Sequence, residues 1–171
     1  NFYLNRNIDF FNGAGQHFLT QRKDKQNLLT SLLKQDFTII PESSQPDTNL
    51  LKTRIGWFIP DTGCEDSLRP SYLPTGTRWA INNLNQNKDG FFLMVEGSEI
   101  DWASHENNLA CLHRQMNEFE QAIQIALDFA KKDKNTLVIV TADHETGGLA
   151  IHGSYQNLRK SNIQFSSHDH T

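Results

Sequence analysis

Carboxylate and imidazole side chains are concentrated in two short stretches in the second half of the chain. The first stretch contains Glu96, Asp101 and His105, and the second contains Asp143 and His144. Oxygen and nitrogen ligands without thiolate are typical of catalytic zinc sites, and additional carboxylates suit magnesium. Asp101 and His105 are four residues apart, so on a helical turn they share a face and can bind one ion. Both stretches are therefore candidates for a metal site.

Each stretch also has a simpler interpretation. An Asp-x-x-x-His pair is more often a solvated helix face than a metal site, and an Asp-His step after a strand can simply cap the next helix. Glu96 can equally be an ordinary exposed acid in a loop. The coincidence of three carboxylates and two imidazoles after two neighbouring predicted strands favours the metal site over these interpretations.

Two apolar runs and one helix are predicted to position the candidates. Residues 91–95 and 136–141 are continuously apolar, as expected of strands that are covered on both faces. Between them, apolar residues recur at three- and four-residue steps over 109–130, which predicts a long helix ending at Lys131 and Lys132. A strand, a helix and a strand form a βαβ unit, and its strands are parallel. The sequence therefore predicts an α/β fold, with the candidates at the carboxyl edge of a mostly parallel central sheet flanked by helices.

The first half of the chain gives weaker signals. Four leucines within 28–33 predict a helix, 54–59 predicts a short strand, and 77–84 predicts a second helix. Turn-forming and irregular residues surround the strand. We therefore interpret 37–76 as a loop-rich insertion within a single partial domain that covers 1–171.

The composition excludes several classes of function. Apolar residues make up 37% and charged residues 21%, which fits a packed globular fold. The net charge is −4 and the basic residues are scattered, so we expect no nucleic-acid partner. No apolar run reaches the roughly 18–20 residues of a membrane span. The first residues also lack the basic-then-apolar pattern of a signal peptide.

The chain has two cysteines, Cys64 and Cys111, and no C-x-x-C pair, so a metal site must use histidine and carboxylate ligands. Cys111 falls on the apolar side of the predicted long helix, where a small buried thiol is the commoner explanation. We therefore expect free thiols, with a disulfide between the two cysteines as the less favoured alternative.

Two motifs in the second half resemble a known family. Residues 90–107 read G-F-F-L-M-V-E-G-S-E-I-D-W-A-S-H-E-N, which resembles the alkaline phosphatase segment V-E-G-x-x-I-D followed by a histidine four residues later. Residues 140–148 read V-T-A-D-H-E-T-G-G, which is similar to that family's T-A-D-H-E-T-G-G. A weaker similarity extends over 9–28, and 168–171, H-D-H-T, resembles the family's D-H-T with its zinc ligand.

The resemblance implies a fold, a set of ligands and an activity. Asp101, His105 and His170 would hold a first zinc ion, Asp143 and His144 a second, and Glu96 a magnesium ion. In the family, two zinc ions clamp the attacking and leaving oxygens while a serine attacks the phosphorus of a phosphate monoester and forms a phosphoseryl intermediate. Family members are typically exported and dimeric, which implies a periplasmic or extracellular location and a homodimer.

The sequence also departs from the family pattern. The chain has no D-S-A nucleophile segment and no assignable phosphate-binding arginine, so we identify no catalytic residue. Asp66-Ser67-Leu68 is superficially similar, but Arg69-Pro70 follows it, and we interpret Ser67 as a loop residue. We therefore expect a chain that is incomplete relative to the family and inactive in isolation. The alternatives are a non-catalytic metal-binding module and another two-metal phosphohydrolase of the same superfamily.

Overall fold

The computed structural model describes residues 8–44, 47–51, 54–61, 63, 70–153 and 162–170. The chain divides into two compact units: Asn1–Thr62 with Pro74–Met94, and Gly63–Leu73 with Val95–Thr171. The first unit contains a parallel sheet, and the second contains the long helix and all the candidate ligands. A single partial domain over 1–171 stays a prediction.

The first unit is built on a three-stranded parallel sheet with the strand order β1-β3-β2. Two short helices lie between β1 and β2 along the chain, and a longer one follows β3. The elements are β1 (Phe10–Gly13), α1 (His17–Thr20), α2 (Leu28–Leu33), β2 (Thr38–Ile40), β3 (Ile55–Phe58) and α3 (Tyr72–Leu84). This arrangement confirms the α/β class, and it places two strands and the start of α3 within the predicted loop-rich range 37–76.

Aromatic residues form the core of the first unit. Trp79 of α3 is fully buried, and its ring centroid lies 5.5 Å from that of Phe10 and 5.7 Å from that of Trp57. Its indole N–H donates to the carbonyl of Leu50 over 2.9 Å, so the only polar atom of this side chain is satisfied. The sheet and α3 are therefore held together by an apolar core that contains no candidate ligand.

The second unit is dominated by α5 (Leu109–Asp133), which follows the short helix α4 (Glu99–His105). The bounds of α5 confirm the helix predicted over 109–130. The side chain of Asn108 caps its first turn by accepting from the backbone N–H of Cys111, and the predicted lysines lie in its last turn. An antiparallel pair, β4 (Ala150–His152) and β5 (Asn162–Gln164), follows. These two strands were not predicted, because three residues are too few to show an alternating pattern.

The predicted strands at 91–95 and 136–141 are wrong, because the structure has no strand at either position. A strand requires a hydrogen-bonded ladder with a neighbour, and neither run belongs to a sheet in the described part of the chain. Every second side chain is also uncovered, with Phe92 89% and Leu137 82% exposed, while the side chains between them are half-buried. Of the predicted βαβ unit, only the helix is therefore present. The parallel sheet consists of β1, β2 and β3 instead.

Cys111 is disulfide-bonded, which corrects the expectation of a free buried thiol. Burial alone did not discriminate between the two states, because both suit the apolar environment in which Cys111 lies with Ala103 and Leu112. Cys64, the other cysteine in the sequence, lies outside the described residues. Among the described residues, no helix combines the length and apolar character needed to span a membrane.

Candidate metal centre

Three imidazoles surround one carboxylate in the second unit. Oδ1 of Asp101 lies 3.5 Å from Nε2 of His105 and 3.8 Å from Nε2 of His170. The ring of His170 also stacks near that of His144, with the centroids 3.8 Å apart. One potential ligand atom from each of Asp101, His144 and His170 lies within 4.8 Å of the others. Nitrogen and oxygen donors without sulfur, at this spacing, can hold a zinc ion.

A glycine turn brings the second motif against α4. Gly147 has φ +82°, and a Cβ at this position would lie 2.8 Å from the carbonyl oxygen of Ser104. Its N–H donates to the carbonyl of Asp169 over 3.0 Å, and its own carbonyl accepts from the N–H of Ser166 over 3.0 Å. Through these contacts, Gly147 connects α4, the turn and residues 166–169. Only glycine fits both this φ and this close contact.

The threonine before this glycine connects two of the candidate ligands. Oγ1 of Thr146 donates to Oδ1 of Asp101 over 2.5 Å and lies 3.2 Å from Nδ1 of His144. A hydroxyl has a single hydrogen, so the threonine that donates to Asp101 must accept from an N–H on Nδ1 of His144. His144 is then left with a lone pair on Nε2, which is the form that binds a metal.

The same form is set for His105. Its Nδ1 lies 2.6 Å from the carbonyl oxygen of His168, so Nδ1 carries a hydrogen, and in the neutral ring Nε2 carries a lone pair. This lone pair faces Oδ1 of Asp101 at 3.5 Å, and Nε2 of His144 likewise faces Oδ2 of Asp143 at 3.4 Å. Two acceptor atoms at such distances repel each other unless a cation or a proton lies between them. The residues present therefore fit a divalent cation.

The structure brings some of the predicted ligands together and leaves others outside the cluster. Asp101, His105, His144 and His170 converge. The Asp143 side chain is 89% exposed, and its Oδ1 accepts from the N–H of His144 over 3.1 Å. Glu96 is exposed and does not belong to the group of close ligand atoms found among the described residues.

The grouping also differs from the expected division into two zinc sites. It joins His144, which the resemblance assigns to the second zinc, to Asp101 and His170, which it assigns to the first. The candidates do not directly follow a sheet strand, because the described residues 70–149 contain none. Likewise, no helix follows the Asp143-His144 step, so the simpler interpretation of this step as a helix cap is wrong.

Two residues near the cluster were not predicted to take part in it. Thr146 belongs to the second motif, and its position two residues after His144 is the signal that could have identified it. His168 was passed over in favour of His170, and its contacts with His105 are visible only in the folded chain. Ser67, interpreted as a loop residue, lies outside the described residues.

Comparison with known proteins places these features in a family context. Residues 11–170 match the family model described as alkaline phosphatase. Alkaline phosphatase 3 of Bacillus subtilis is 43% identical over 148 residues, which cover 84% of this chain and 31% of the relative. The chain thus spans about a third of that relative's length.

Solved structures give the same result. Alkaline phosphatase from the Antarctic bacterium TAB5 is 38% identical, with a TM-score of 0.84 over 95% of this chain and 50% of that protein. A variant of the TAB5 enzyme with Mg bound has the same TM-score of 0.84, at 34% identity over 99% of this chain and 53% of that protein. The fold of this chain is therefore that of about half of a solved alkaline phosphatase.

Proposed function

Because the chain belongs to the alkaline phosphatase family, we propose that it provides the zinc- and magnesium-binding part of an enzyme that hydrolyses phosphate monoesters. The observation that carries this proposal is the convergence of Asp101, His144 and His170 within 4.8 Å. Since the chain spans 31% of the length of its Bacillus relative, the complete reaction, with its phosphoseryl intermediate, is proposed for the full-length protein.

The proposed ligands follow the motif assignments. Asp101, His105 and His170 bind the first zinc ion, Asp143 and His144 bind the second, and Glu96 binds magnesium. The zinc assignments are supported by the ring nitrogens of His105 and His144, whose Nδ1 atoms have partners that leave Nε2 available. Magnesium as one of the metals is supported by the bound Mg of the TAB5 variant, and its assignment to Glu96 rests on the motif. When bound, these ions supply Lewis acidity toward the phosphoryl oxygens of the substrate.

The chain's own residues bind, orient and hold these groups in place. Asp101 presents a carboxylate that is held by Thr146, and His144 is held by the same hydroxyl. No residue here is assigned as the nucleophile, because the sequence has no D-S-A segment and no assignable phosphate-binding arginine. We therefore propose that the isolated chain binds metal without hydrolysing phosphate monoesters.

Location and assembly are part of the same proposal. A disulfide at Cys111 forms and persists in an oxidising environment, which supports a periplasmic or extracellular location. A homodimer is proposed from the family alone. Phosphate monoesters are the proposed substrates, and the scattered basic residues support no nucleic-acid partner.

The experiment that tests the proposal is zinc titration of the 171-residue chain against a chromogenic chelator. Asp101→Asn keeps the shape of the side chain but removes its charge, and we expect it to weaken zinc binding by more than about 10-fold. Asp128→Asn is the matched control, because Asp128 is an exposed acid of α5 that contacts Gln124. Equal zinc affinity in the wild type and in both variants would contradict a metal site at Asp101.

A further inference from the structure

His168 and His105 exchange two hydrogen bonds between the last described segment and the end of α4. Nδ1 of His168 lies 2.8 Å from the carbonyl oxygen of His105, and Nδ1 of His105 lies 2.6 Å from the carbonyl oxygen of His168. Carbonyl oxygens can only accept, so both rings carry their hydrogen on Nδ1. This reciprocal pair of bonds fixes the tautomer of both histidines together.

The second nitrogen of each ring has a different environment. Nε2 of His168 lies 3.3 Å from Nδ2 of Asn107, whose amide donates to the bare ring nitrogen. Nε2 of His105 instead faces Oδ1 of Asp101 at 3.5 Å, with its lone pair available. Both nitrogens of His168 are therefore used for hydrogen bonding within the protein, whereas His105 keeps one for a ligand.

Asn107 is held in a position that suits this contact. It has φ +54°, a left-handed conformation that asparagine adopts more readily than most residues, and its N–H donates to the carbonyl of Ser104 over 3.0 Å. Asn107 and His105 therefore both lie at the end of α4, and they present an amide and a carbonyl to the same imidazole. His168 is thus docked against backbone and side-chain groups at once.

We propose that His168 is a positioning residue for His105. Its backbone carbonyl accepts from Nδ1 of His105, which points Nε2 toward Asp101, and its ring holds that carbonyl in place through its bonds to the end of α4. The proposal rests on the metal-binding function proposed above. The two histidines of the H-D-H segment then have different roles. Nε2 of His170 faces Asp101 directly, whereas the ring of His168 contacts the end of α4. Carbonyl partners of this kind orient metal-binding histidines and raise their basicity, and losing one typically costs about 10–100-fold in metal affinity. A substitution at His168 displaces this carbonyl without removing it, so we expect the lower end of that range.

Three substitutions at this position separate the contacts of the ring. His168→Ala removes both, His168→Asn retains an amide donor near the position of Nδ1, and His168→Gln places its amide near the position of Nε2. His113→Ala is the matched control, because His113 is an exposed histidine of α5. His170→Ala serves as a reference for the loss of a proposed ligand.

Two readouts test the proposal. Zinc affinity is measured by chelator competition, and the tautomer of His105 in the metal-free chain is measured by nitrogen-15 NMR of the imidazole rings. We expect His168→Ala to weaken zinc binding about 10-fold and to convert part of His105 from the Nδ1–H form to a mixture. His168→Asn should recover most of both properties, His168→Gln should not, and His113→Ala should match the wild type.

The outcomes distinguish this inference from the proposed function. An unchanged His105 tautomer and zinc affinity in His168→Ala, even with a lower thermal midpoint, would reduce His168 to a structural contact and overturn the inference. If the wild-type chain bound no zinc, the metal-binding proposal would fail, while the NMR measurement would still decide whether His168 sets the His105 ring. Recovery by glutamine instead of asparagine would also overturn the assignment, because it would place the essential contact at Nε2.

Discussion

The hydroxyl of Thr146 donates to Oδ1 of Asp101 over 2.5 Å, while its oxygen lies 3.2 Å from Nδ1 of His144. One uncharged side chain thereby joins an aspartate proposed to bind the first zinc to a histidine proposed to bind the second. A change at this hydroxyl is therefore transmitted to both proposed sites.

Thr146→Val, which removes the hydroxyl while keeping the branched shape, is expected to weaken zinc binding about 10–100-fold. The main cause is the loss of the donor for Asp101, whose carboxylate is then free to rotate. His144 loses one acceptor at Nδ1 and keeps a second, the carbonyl of Glu145 at 3.2 Å. Chelator competition measures the effect. Thr141→Val is the control, because the Thr141 hydroxyl contacts only the neighbouring carbonyl of Ala142 at 3.1 Å. Equal affinities for the two variants would show that the Thr146 hydroxyl does not support the site.

Gly147→Ala is expected to destabilise the chain more than Gly90→Ala. Both glycines have positive φ, +82° and +85°, so each alanine incurs about 1–2 kcal/mol of backbone strain. Only Gly147 has a backbone oxygen, that of Ser104, at 2.8 Å from the new Cβ, and nothing lies within 4 Å at Gly90. We expect an additional cost of about 1–3 kcal/mol, measured by chemical denaturation. Identical unfolding free energies for the two variants would contradict the close approach at Gly147.

Reduction is expected to destabilise the second unit. One end of the disulfide is Cys111, which is buried in an apolar cluster with Ala103 and Leu112, and the loss of a disulfide typically costs about 2–4 kcal/mol. Thermal unfolding with and without dithiothreitol measures this difference. Cys111→Ala should unfold at a lower temperature than the oxidised wild type and should not respond to the reductant. A wild-type midpoint that does not change on reduction would argue against a stabilising disulfide.

The isolated chain is expected to hydrolyse a chromogenic phosphomonoester no faster than the metal-ion background, even with zinc and magnesium supplied. Without a nucleophile and a group that orients the phosphoryl oxygens, several orders of magnitude in rate are typically lost. The assay at mildly alkaline pH compares the wild type with a His105→Ala, Asp143→Ala double variant. Zinc-dependent turnover that disappears in the double variant would reveal a nucleophile within these residues and would refute the inactivity.

The sequence predicted the helices more accurately than the strands. A helix satisfies its own hydrogen bonds, so the spacing of Leu112, Phe119 and Ala126 was sufficient to predict α5. A strand depends on a neighbour, and the apolar run at 136–141 carries no information about whether that neighbour is present. In this run, apolar composition indicated an extended backbone without membership of a sheet, whereas the strand predicted over 54–59 is present as β3.

The candidate site was predictable to the extent that it is local. The four-residue spacing of Asp101 and His105 could be interpreted from helix geometry, and both lie on α4. The hydrogen bonds of His105 to His168 join residues that are 63 positions apart, and no periodicity links them. The proposed metal ligands could therefore be identified from the sequence. The residues that orient these ligands could be identified only in the folded chain.

The two uncovered apolar runs have a consequence for the behaviour of this chain in solution. Residues 91–95 and 136–141 contain no charge and no proline, and they are rich in the branched and aromatic residues that favour intermolecular strands. Phe92, Met94, Leu137 and Ile139 are all at least 75% exposed. Exposed apolar segments of this kind recruit identical copies, so the isolated chain should self-associate as its concentration rises. The substitution Leu137→Lys places a charge on the exposed side of the second run. It should reduce self-association without altering any proposed ligand.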